Sequence, residues 1–149
     1  MSLKEKLYLQ CLEFVNKRLA TVEATISSNQ KALESETKSS AGDKHETGRA
    51  MLQLEMEKAS QQLVGIQQMK ETLAKINASE ENRIACLGSI ITTTSHNYFL
   101  SISAGNLNVD KKNYFAISPA SPIGRQLLGK KTGEQFLFNG KEFSIVAIH

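Results

Sequence analysis

The sequence has few cysteines, few prolines and no long apolar run, and these scarcities exclude several classes of protein. Its two cysteines, Cys11 and Cys86, show neither CxxC spacing nor the density of a disulfide scaffold, so we expect reduced thiols that act as small packing residues. No apolar run approaches the roughly 20 residues that a membrane-spanning helix needs. The N-terminal segment MSLKEKLYLQ is amphipathic and does not resemble a signal peptide. We therefore expect a cytoplasmic protein without a membrane partner.

Charge of one sign is not concentrated anywhere in the chain. The 149 residues carry a net charge of +3, and basic and acidic residues are nearly balanced in both halves. Proteins that bind nucleic acid usually concentrate Lys and Arg on one face. The charge distribution therefore gives only weak support for direct binding to DNA or RNA, and partners have to be inferred from other features.

Two long segments carry the heptad pattern of a coiled coil, in which apolar residues recur at alternating steps of four and three. Asn29 is the polar member of the first repeat, a type of residue that fixes register at some cost in stability. In the second repeat one four-residue step is shortened to three, which predicts a local shift of the seam. The first repeat comprises Tyr8, Leu12, Val15, Leu19, Val22, Ile26, Asn29 and Leu33, and the second comprises Leu52, Met56, Ala59, Leu63, Ile66, Met69, Leu73 and Ile76.

A polar interval, Glu34 to Gly48, separates the two repeats. Arms of about 30 residues, each about 45 Å long, can cover each other's apolar stripes by folding back antiparallel. The competing arrangement is a parallel dimer of one continuous helix. Gly42 and Gly48 argue for a break, since each costs about 1 kcal/mol relative to Ala inside a helix. We favour a hairpin within one chain and expect a monomer.

The heptad pattern ends near the polar stretch 77–83, and the composition of the chain changes there. Both prolines and seven of the nine aromatic residues lie after residue 97. We therefore divide the chain into a coiled-coil hairpin over 1–78, with its acidic tip at 34–48, and a second domain over 79–149. The sequence thus predicts an α+β fold.

The second domain carries strand signals, namely Ile, Thr, Tyr and Phe between polar breaks. The pair Asn139-Gly140 predicts a two-residue hairpin because both residues accept positive φ at low cost. We predict strands over 84–94, 97–103, 114–118, 134–138 and 141–148, with a loop that contains Gly105, Asn106 and Asn108.

One short helix is also expected in this domain. Ser121 supplies an N-cap and Pro122 the first helical position of a helix that runs to Leu128. Gly129 can end that helix with positive φ. Lys130 and Lys131 follow, just past its negative end.

Two of these segments resemble the Gre-type (GreA/GreB-like) transcript cleavage factors of bacterial RNA polymerase. The segment SPIGRQLLGKKTGE, Ser121 to Glu134, resembles the Ser-Pro-hydrophobic, Leu-Leu-Gly-Lys-Lys, Gly-Asp/Glu signature of their C-terminal domain. The segment GDKHE, Gly42 to Glu46, resembles the Gly-Asp-x-x-Glu of their coiled-coil tip. The order of the segments and the arrangement of the elements agree over almost the whole chain.

The resemblance implies a transcription elongation factor whose coiled coil enters the secondary channel of RNA polymerase. Its C-terminal domain is expected to be FKBP-like and to dock at the rim of that channel. Asp43 and Glu46 would help hold the second catalytic Mg²⁺, so that the polymerase cleaves its own backtracked RNA at the 3′ end. The protein itself would not be an enzyme. The resemblance places polymerase contacts on Ser121, Pro122, Ile123, Leu128, Gly129, Lys130 and Lys131.

The chemistry of Mg²⁺ fits two carboxylates at a tip. Mg²⁺ is a hard cation that prefers oxygen ligands and keeps much of its water, so two carboxylates can complete a weakly held shell without forming a full site. We expect Asp43 and Glu46 to bind no Mg²⁺ firmly in the free protein. The resemblance implies that the ion is borrowed from the active centre of the polymerase.

Other interpretations stay open at this point. Asp43 and Glu46 also match the capping box, in which an N-cap side chain and a carboxylate three residues on cap each other's backbone donors. Lys130 and Lys131 also suit the negative end of a helix. The alternative functions are a non-catalytic regulator or inhibitor in the secondary channel, or a coiled-coil adaptor for another partner.

Overall fold

The structure, a computed structural model, describes residues 1–38 and 42–149, without the side chains of 36–46. It has an α+β fold, as predicted, with two long helices followed by a sheet and a short helix. The helices are α1 (Leu3–Lys38), α2 (Gly42–Ala74) and α3 (Pro122–Leu127), and the strands are β1 (Ile90–Thr93), β2 (Asn97–Leu100), β3 (Gly105–Val109), β4 (Lys112–Ile117), β5 (Gln135–Phe138) and β6 (Lys141–Ile148). Among residues 1–38 and 42–149, none of the helices combines the length and the apolar composition that a membrane span requires.

The chain forms two compact units, and the long helices contribute to both. The first unit comprises Met1–Phe14 and Lys70–His149, and the second comprises Val15–Met69. The beginning of α1 and the end of α2 thus belong to the unit that contains the sheet. The predicted domain boundary between residues 78 and 79 stays a prediction.

In the second unit the buried side chains follow the predicted heptads. Between residues 15 and 31 of α1, every side chain outside the seam is exposed. The same holds between residues 51 and 64 of α2. The most deeply buried positions recur every seven residues, as a coiled-coil seam requires: Val15, Val22 and Asn29 on α1, and Ala59 and Ile66 on α2.

The sheet is mixed and has the strand order β3-β4-β2-β1-β6-β5. Strands β2 and β4 pair in parallel, and the other neighbouring strands pair antiparallel. The hairpin of β5 and β6 turns through Asn139 and Gly140, whose φ values are 53° and 76°. The predicted two-residue hairpin is therefore confirmed.

One face of the sheet carries the main apolar cluster. Its members come from four strands, from α3 and from the segment before β1, and they enclose side chains such as Leu100 and Leu127 that are fully buried. The buried members are Ala85, Ile91, Tyr98, Leu100, Leu127, Phe136, Ile145 and Ile148. Because Leu127 belongs to this cluster, α3 lies on this face.

The beginning of α1 lies against β3 and the residue that follows β2. The Sγ atom of Cys11 is 3.6 Å from Oγ of Ser101, and the Nε2 of Gln10 donates to the carbonyl oxygen of Asn108 at 2.8 Å. Burial raises the pKa of the Cys11 thiol, and the contact with Ser101 opposes this shift. The heptad pattern did not predict this surface of the helix, because its partner is distant in sequence.

The prediction of a loop at Gly105, Asn106 and Asn108 was wrong, since these residues form β3 at the edge of the sheet. Gly and Asn are poor strand formers, and they obscured the alternation of Leu107 and Val109, which are both buried. The turn into β4 uses Asp110 and Lys111 at positive φ. Sequence pairs without Gly seldom indicate such a turn.

Asn29 generates a prediction about the helical unit. Only 7% of the residue is exposed, and its Nδ2 has no hydrogen-bond partner among the described residues. A buried polar group without a partner costs about 1–3 kcal/mol, so we expect Asn29→Leu to raise the free energy of unfolding by about that amount. Urea unfolding followed by circular dichroism at 222 nm measures the change.

The control is Gln30→Leu, which alters the neighbouring exposed position of the same helix. We expect its unfolding free energy to stay within about 0.5 kcal/mol of the wild type. A loss of stability in Asn29→Leu would show that the amide makes a favourable interaction in the folded protein.

Candidate functional site

The predicted site residues fall into two groups that lie in different units. Asp43 and Glu46 lie in α2, which begins at Gly42, but their side chains are outside the described residues. Their role at a metal therefore stays a prediction, and so does their role as a cap. Thr47 and Arg49, which follow them, are exposed.

The second group, 121–131, begins with the predicted N-cap, which the structure confirms. Ser121 has an extended backbone, with φ −68° and ψ 159°, and its Oγ accepts a hydrogen bond from the amide of Gly124 at 3.1 Å. The same Oγ donates to the carbonyl oxygen of Ser118 at 2.6 Å. Pro122 occupies the first turn of α3. Ser121 therefore joins the loop after β4 to the helix.

Gly124 is a residue that the sequence reasoning missed. A Cβ atom at this position would clash with the carbonyl oxygen of Ser118 and would lie 2.9 Å from Oγ of Ser121. The backbone before α3 thus approaches the helix so closely that only glycine fits. A glycine inside a six-residue helix is the sequence signal that could have indicated this approach.

The end of α3 is held by backbone hydrogen bonds to the segment before β1. Gly129, at φ 80° as predicted, donates from its amide to the carbonyl oxygen of Ala85 at 2.8 Å. The amide of Ala85 donates in return to the carbonyl oxygen of Lys130 at 2.8 Å. The amide of Lys131 donates to a carboxylate oxygen of Glu134 at 3.2 Å. These bonds fix the backbone that carries the two lysines.

The predicted polymerase-binding residues divide into supporting and outward-facing side chains. Ser121 caps the helix, and Ile123 packs partly buried against the apolar cluster. The side chains of Pro122, Leu128 and Lys131 are exposed, and Lys130 is half-buried. The exposed side chains among the seven predicted residues are thus the ones that a partner can touch.

Two further residues, Arg83 and Ile84, adjoin this group. Ile84 forms a bridge to Lys131 and is 49% exposed, while Leu128 is 41% exposed. Arg83, Ile84 and Lys131 line a shallow cavity of about 490 Å³. We call Arg83, Ile84, Leu128 and Lys131 the α3 surface. It offers two apolar side chains beside two cations, which suits an acidic and partly apolar protein surface.

Lys4 is a buried charged residue that no sequence pattern indicated. Only 5% of it is exposed, and its ammonium donates to the carbonyl oxygen of Glu80 at 2.6 Å. Burial lowers the pKa of Lys4, and the negative charges of Glu81, Cys86 and Glu80 oppose that shift. The hydrogen bond fastens the first turn of α1 to the segment that follows α2, so its role is structural.

The described side chains offer no group of three or more His, Cys, Asp or Glu that could hold a metal ion. The chain matches no protein-family model and has no significant match among curated proteins. The resemblance to the Gre-type factors therefore depends on the two motifs, GDKHE at 42–46 and SPIGRQLLGKKTGE at 121–134, and on the order of the elements around them.

The close approach at Gly124 generates a second prediction. We expect Gly124→Ala to lower the free energy of unfolding by about 3 kcal/mol, because overpacking forces the backbone before α3 to move. Urea unfolding followed by tyrosine fluorescence checks this value, since Tyr98 and Tyr114 both lie in the unit that contains α3.

The matched control is Gly65→Ala, a second glycine inside a helix. A Cβ atom at Gly65 would meet nothing within 4 Å. We expect this substitution to stabilise α2 by about 1 kcal/mol, because alanine is the better helix former. Equal effects of the two substitutions would contradict the close approach at Gly124.

Proposed function

We propose that this protein is a transcription elongation factor that binds bacterial RNA polymerase at the secondary channel and stimulates Mg²⁺-dependent cleavage of backtracked RNA. The observation that carries the proposal is the pairing of two motifs with two kinds of structure. The acidic motif Asp43 to Glu46 lies at the beginning of α2, the second helix of a helical hairpin. The 121–134 motif forms the capped helix α3 and the loop that carries Lys130 and Lys131, on one face of the sheet.

In the proposed reaction the polymerase remains the catalyst. A water molecule attacks the phosphorus of the RNA backbone, and the bond between phosphorus and the 3′ oxygen breaks. The shortened transcript keeps a 3′ hydroxyl, the released fragment carries a 5′ phosphate, and the proton lost by water goes to the leaving oxygen or to solvent. Asp43 and Glu46 would help hold the second Mg²⁺, which orients the water and stabilises the charge that develops.

Two carboxylates bind Mg²⁺ weakly, because the ion gives up its water reluctantly. Carboxylates of the polymerase would supply the remaining ligands. The factor would then act on RNA when its hairpin occupies the channel.

The α3 surface is the proposed docking site on the polymerase. Its backbone is fixed by hydrogen bonds at Gly129, Lys130 and Lys131, so binding would order little of it. Its two cations would favour an acidic partner surface, while Ile84 and Leu128 supply apolar area. Docking and chemistry would thus use separate parts of the chain.

A cleavage assay on stalled, backtracked elongation complexes tests the proposal. We expect the wild-type protein to release short 3′ RNA fragments in the presence of Mg²⁺. Asp43→Ala and Glu46→Ala should each lower the rate at least about 100-fold, the scale of effect expected when a group that stabilises transition-state charge is removed. Binding to polymerase should persist in both variants.

Thr47→Ala is the matched control, since it changes the exposed neighbour of Glu46 and removes no carboxylate. We expect this variant to cleave at the wild-type rate. Unchanged cleavage in the double variant that lacks both acids would overturn the proposal.

One observation favours a second candidate, a non-catalytic regulator that occupies the same channel. Family tips continue Glu-Asn-Ala-Glu-Tyr, whereas this chain continues from Glu46 with Thr47, Gly48, Arg49 and Ala50. It thus lacks the asparagine, the second acid and the aromatic residue. Slower nucleotide addition without RNA release would identify the regulator. Failure to bind core polymerase at all would exclude both functions and leave the coiled-coil adaptor.

A further inference from the structure

A surface outside both predicted sites combines amide and aromatic side chains on the sheet. Asn106 pairs directly with Phe115, and Phe115 pairs with Tyr98, so the three side chains share one face. Asn108 and Asn113 form the next pair that points to the same side. This is the face that carries α3, but α3 lies against β5 at the opposite edge of the sheet. The three asparagines are exposed.

The asparagine side chains are oriented by one another. The Oδ1 of Asn113 accepts from the Nδ2 of Asn108 at 3.0 Å and from the Nδ2 of Asn106 at 3.4 Å. Within the described part of the chain, no protein group pairs with the Nδ2 of Asn113 or with the Oδ1 of Asn106 and Asn108. An ordered row of amide donors and acceptors therefore faces solvent. Such groups match the hydrogen-bonding edges of nucleobases.

Aromatic rings stand beside this row. The ring centroids of His96 and Phe115 are 5.1 Å apart, with an angle of 75° between the ring planes. Tyr98 is 6.2 Å from each of them. His96 is exposed and Phe115 is half-buried, so both rings can contact a ligand. Exposed aromatic side chains on a sheet are a common platform for unpaired bases.

A cavity of about 370 Å³ lies at the same place. Its lining includes His96, Asn97, Lys112, Asn113 and Phe115. Lys112 is the charged residue in that lining. The carboxylate of the adjoining turn, Asp110, pairs with Lys6 of α1 at 3.3 Å, so it does not neutralise Lys112 directly. The cavity thus combines a ring surface, amide groups and a positive charge.

We propose that this cavity binds a nucleoside phosphate through stacking of the base on His96, edge contact with Phe115, amide hydrogen bonds at Asn113, and charge attraction at Lys112. The ligand is either a free nucleotide or one nucleotide of single-stranded RNA, since both present the same base and phosphate. A double helix does not fit this chemistry, because its base faces are stacked on one another. The proposal does not rest on the polymerase function.

The experiment uses the full chain and two probes, adenosine monophosphate and a fluorescein-labelled single-stranded RNA of eight nucleotides. Polarisation measures RNA binding, and ¹⁵N-detected shifts of the asparagine side-chain amides measure binding of either probe. We expect saturable binding and shifts at Asn106, Asn108 and Asn113. Tighter binding of RNA identifies a strand as the ligand, and binding of the monophosphate alone identifies a free nucleotide.

Two substitutions separate this site from general charge attraction. His96→Ala should weaken binding about 10-fold, the scale of a lost stacking contact. Lys112→Ala should weaken it several-fold and lower the salt dependence by about one ion. Lys141→Ala is the matched control, because Lys141 also begins a strand directly after a turn of two residues with positive φ. It should bind like the wild type.

Two results would overturn the proposal. The first is the absence of saturable binding for both probes. The second is equal weakening by Lys112→Ala and Lys141→Ala, which would indicate charge attraction without a site. His96, Lys112 and Lys141 are all exposed, so the variants are expected to fold.

Discussion

The burial of the first turns of α1 is the interaction on which the sheet-containing unit depends. Leu7 and Cys11 are fully buried there, and each leucine side chain removed from water contributes about 1.5–3 kcal/mol. The ammonium of Lys4 and the amide of Gln10 add hydrogen bonds to the backbone at Glu80 and Asn108. Because α1 runs without interruption from Leu3 to Lys38, the helix that covers this sheet is also the helix that begins the heptad seam. Loss of this packing would expose the sheet and release the beginning of the helix together.

The sequence predicted well where a local pattern decides the structure. Within the second unit the heptads predicted the buried positions of α1 and α2. Ser121-Pro122 predicted the beginning of α3 and Asn139-Gly140 the last hairpin, since each depends on neighbouring residues. The predictions failed where the structure depends on residues that are distant in sequence. Strand β3 forms because it pairs with β4, and Leu107 and Val109 are buried in the resulting sheet. Lys4 is buried by the segment that follows α2. No local pattern contains these partners.

The candidate site shows the same contrast between local features, which the sequence predicted, and non-local contacts, which it did not predict. The caps around α3 were predictable, but the bridge between Ile84 and Lys131 arises from segments that meet only in the fold. The asparagines of β3 and β4 were assigned to a loop or left without a role, because their alignment depends on strand register. The roles of Asp43 and Glu46 are inferred from the motif and from the chemistry of Mg²⁺. Their position in the hairpin supports the function proposed for them. The proposals thus assign docking, metal chemistry and nucleotide binding to separate surfaces of the chain.

The central claim is that Asp43 and Glu46 reach the catalytic metal of the polymerase, and a local cleavage measurement tests it most directly. Fe²⁺ in place of the catalytic Mg²⁺ generates hydroxyl radicals that cut protein backbone close to the ion. With the factor bound to the polymerase, our account predicts cuts in this chain centred on residues 43–46 and none in the 121–134 segment. Cuts centred elsewhere in this chain, or none in a factor that is demonstrably bound, would contradict it.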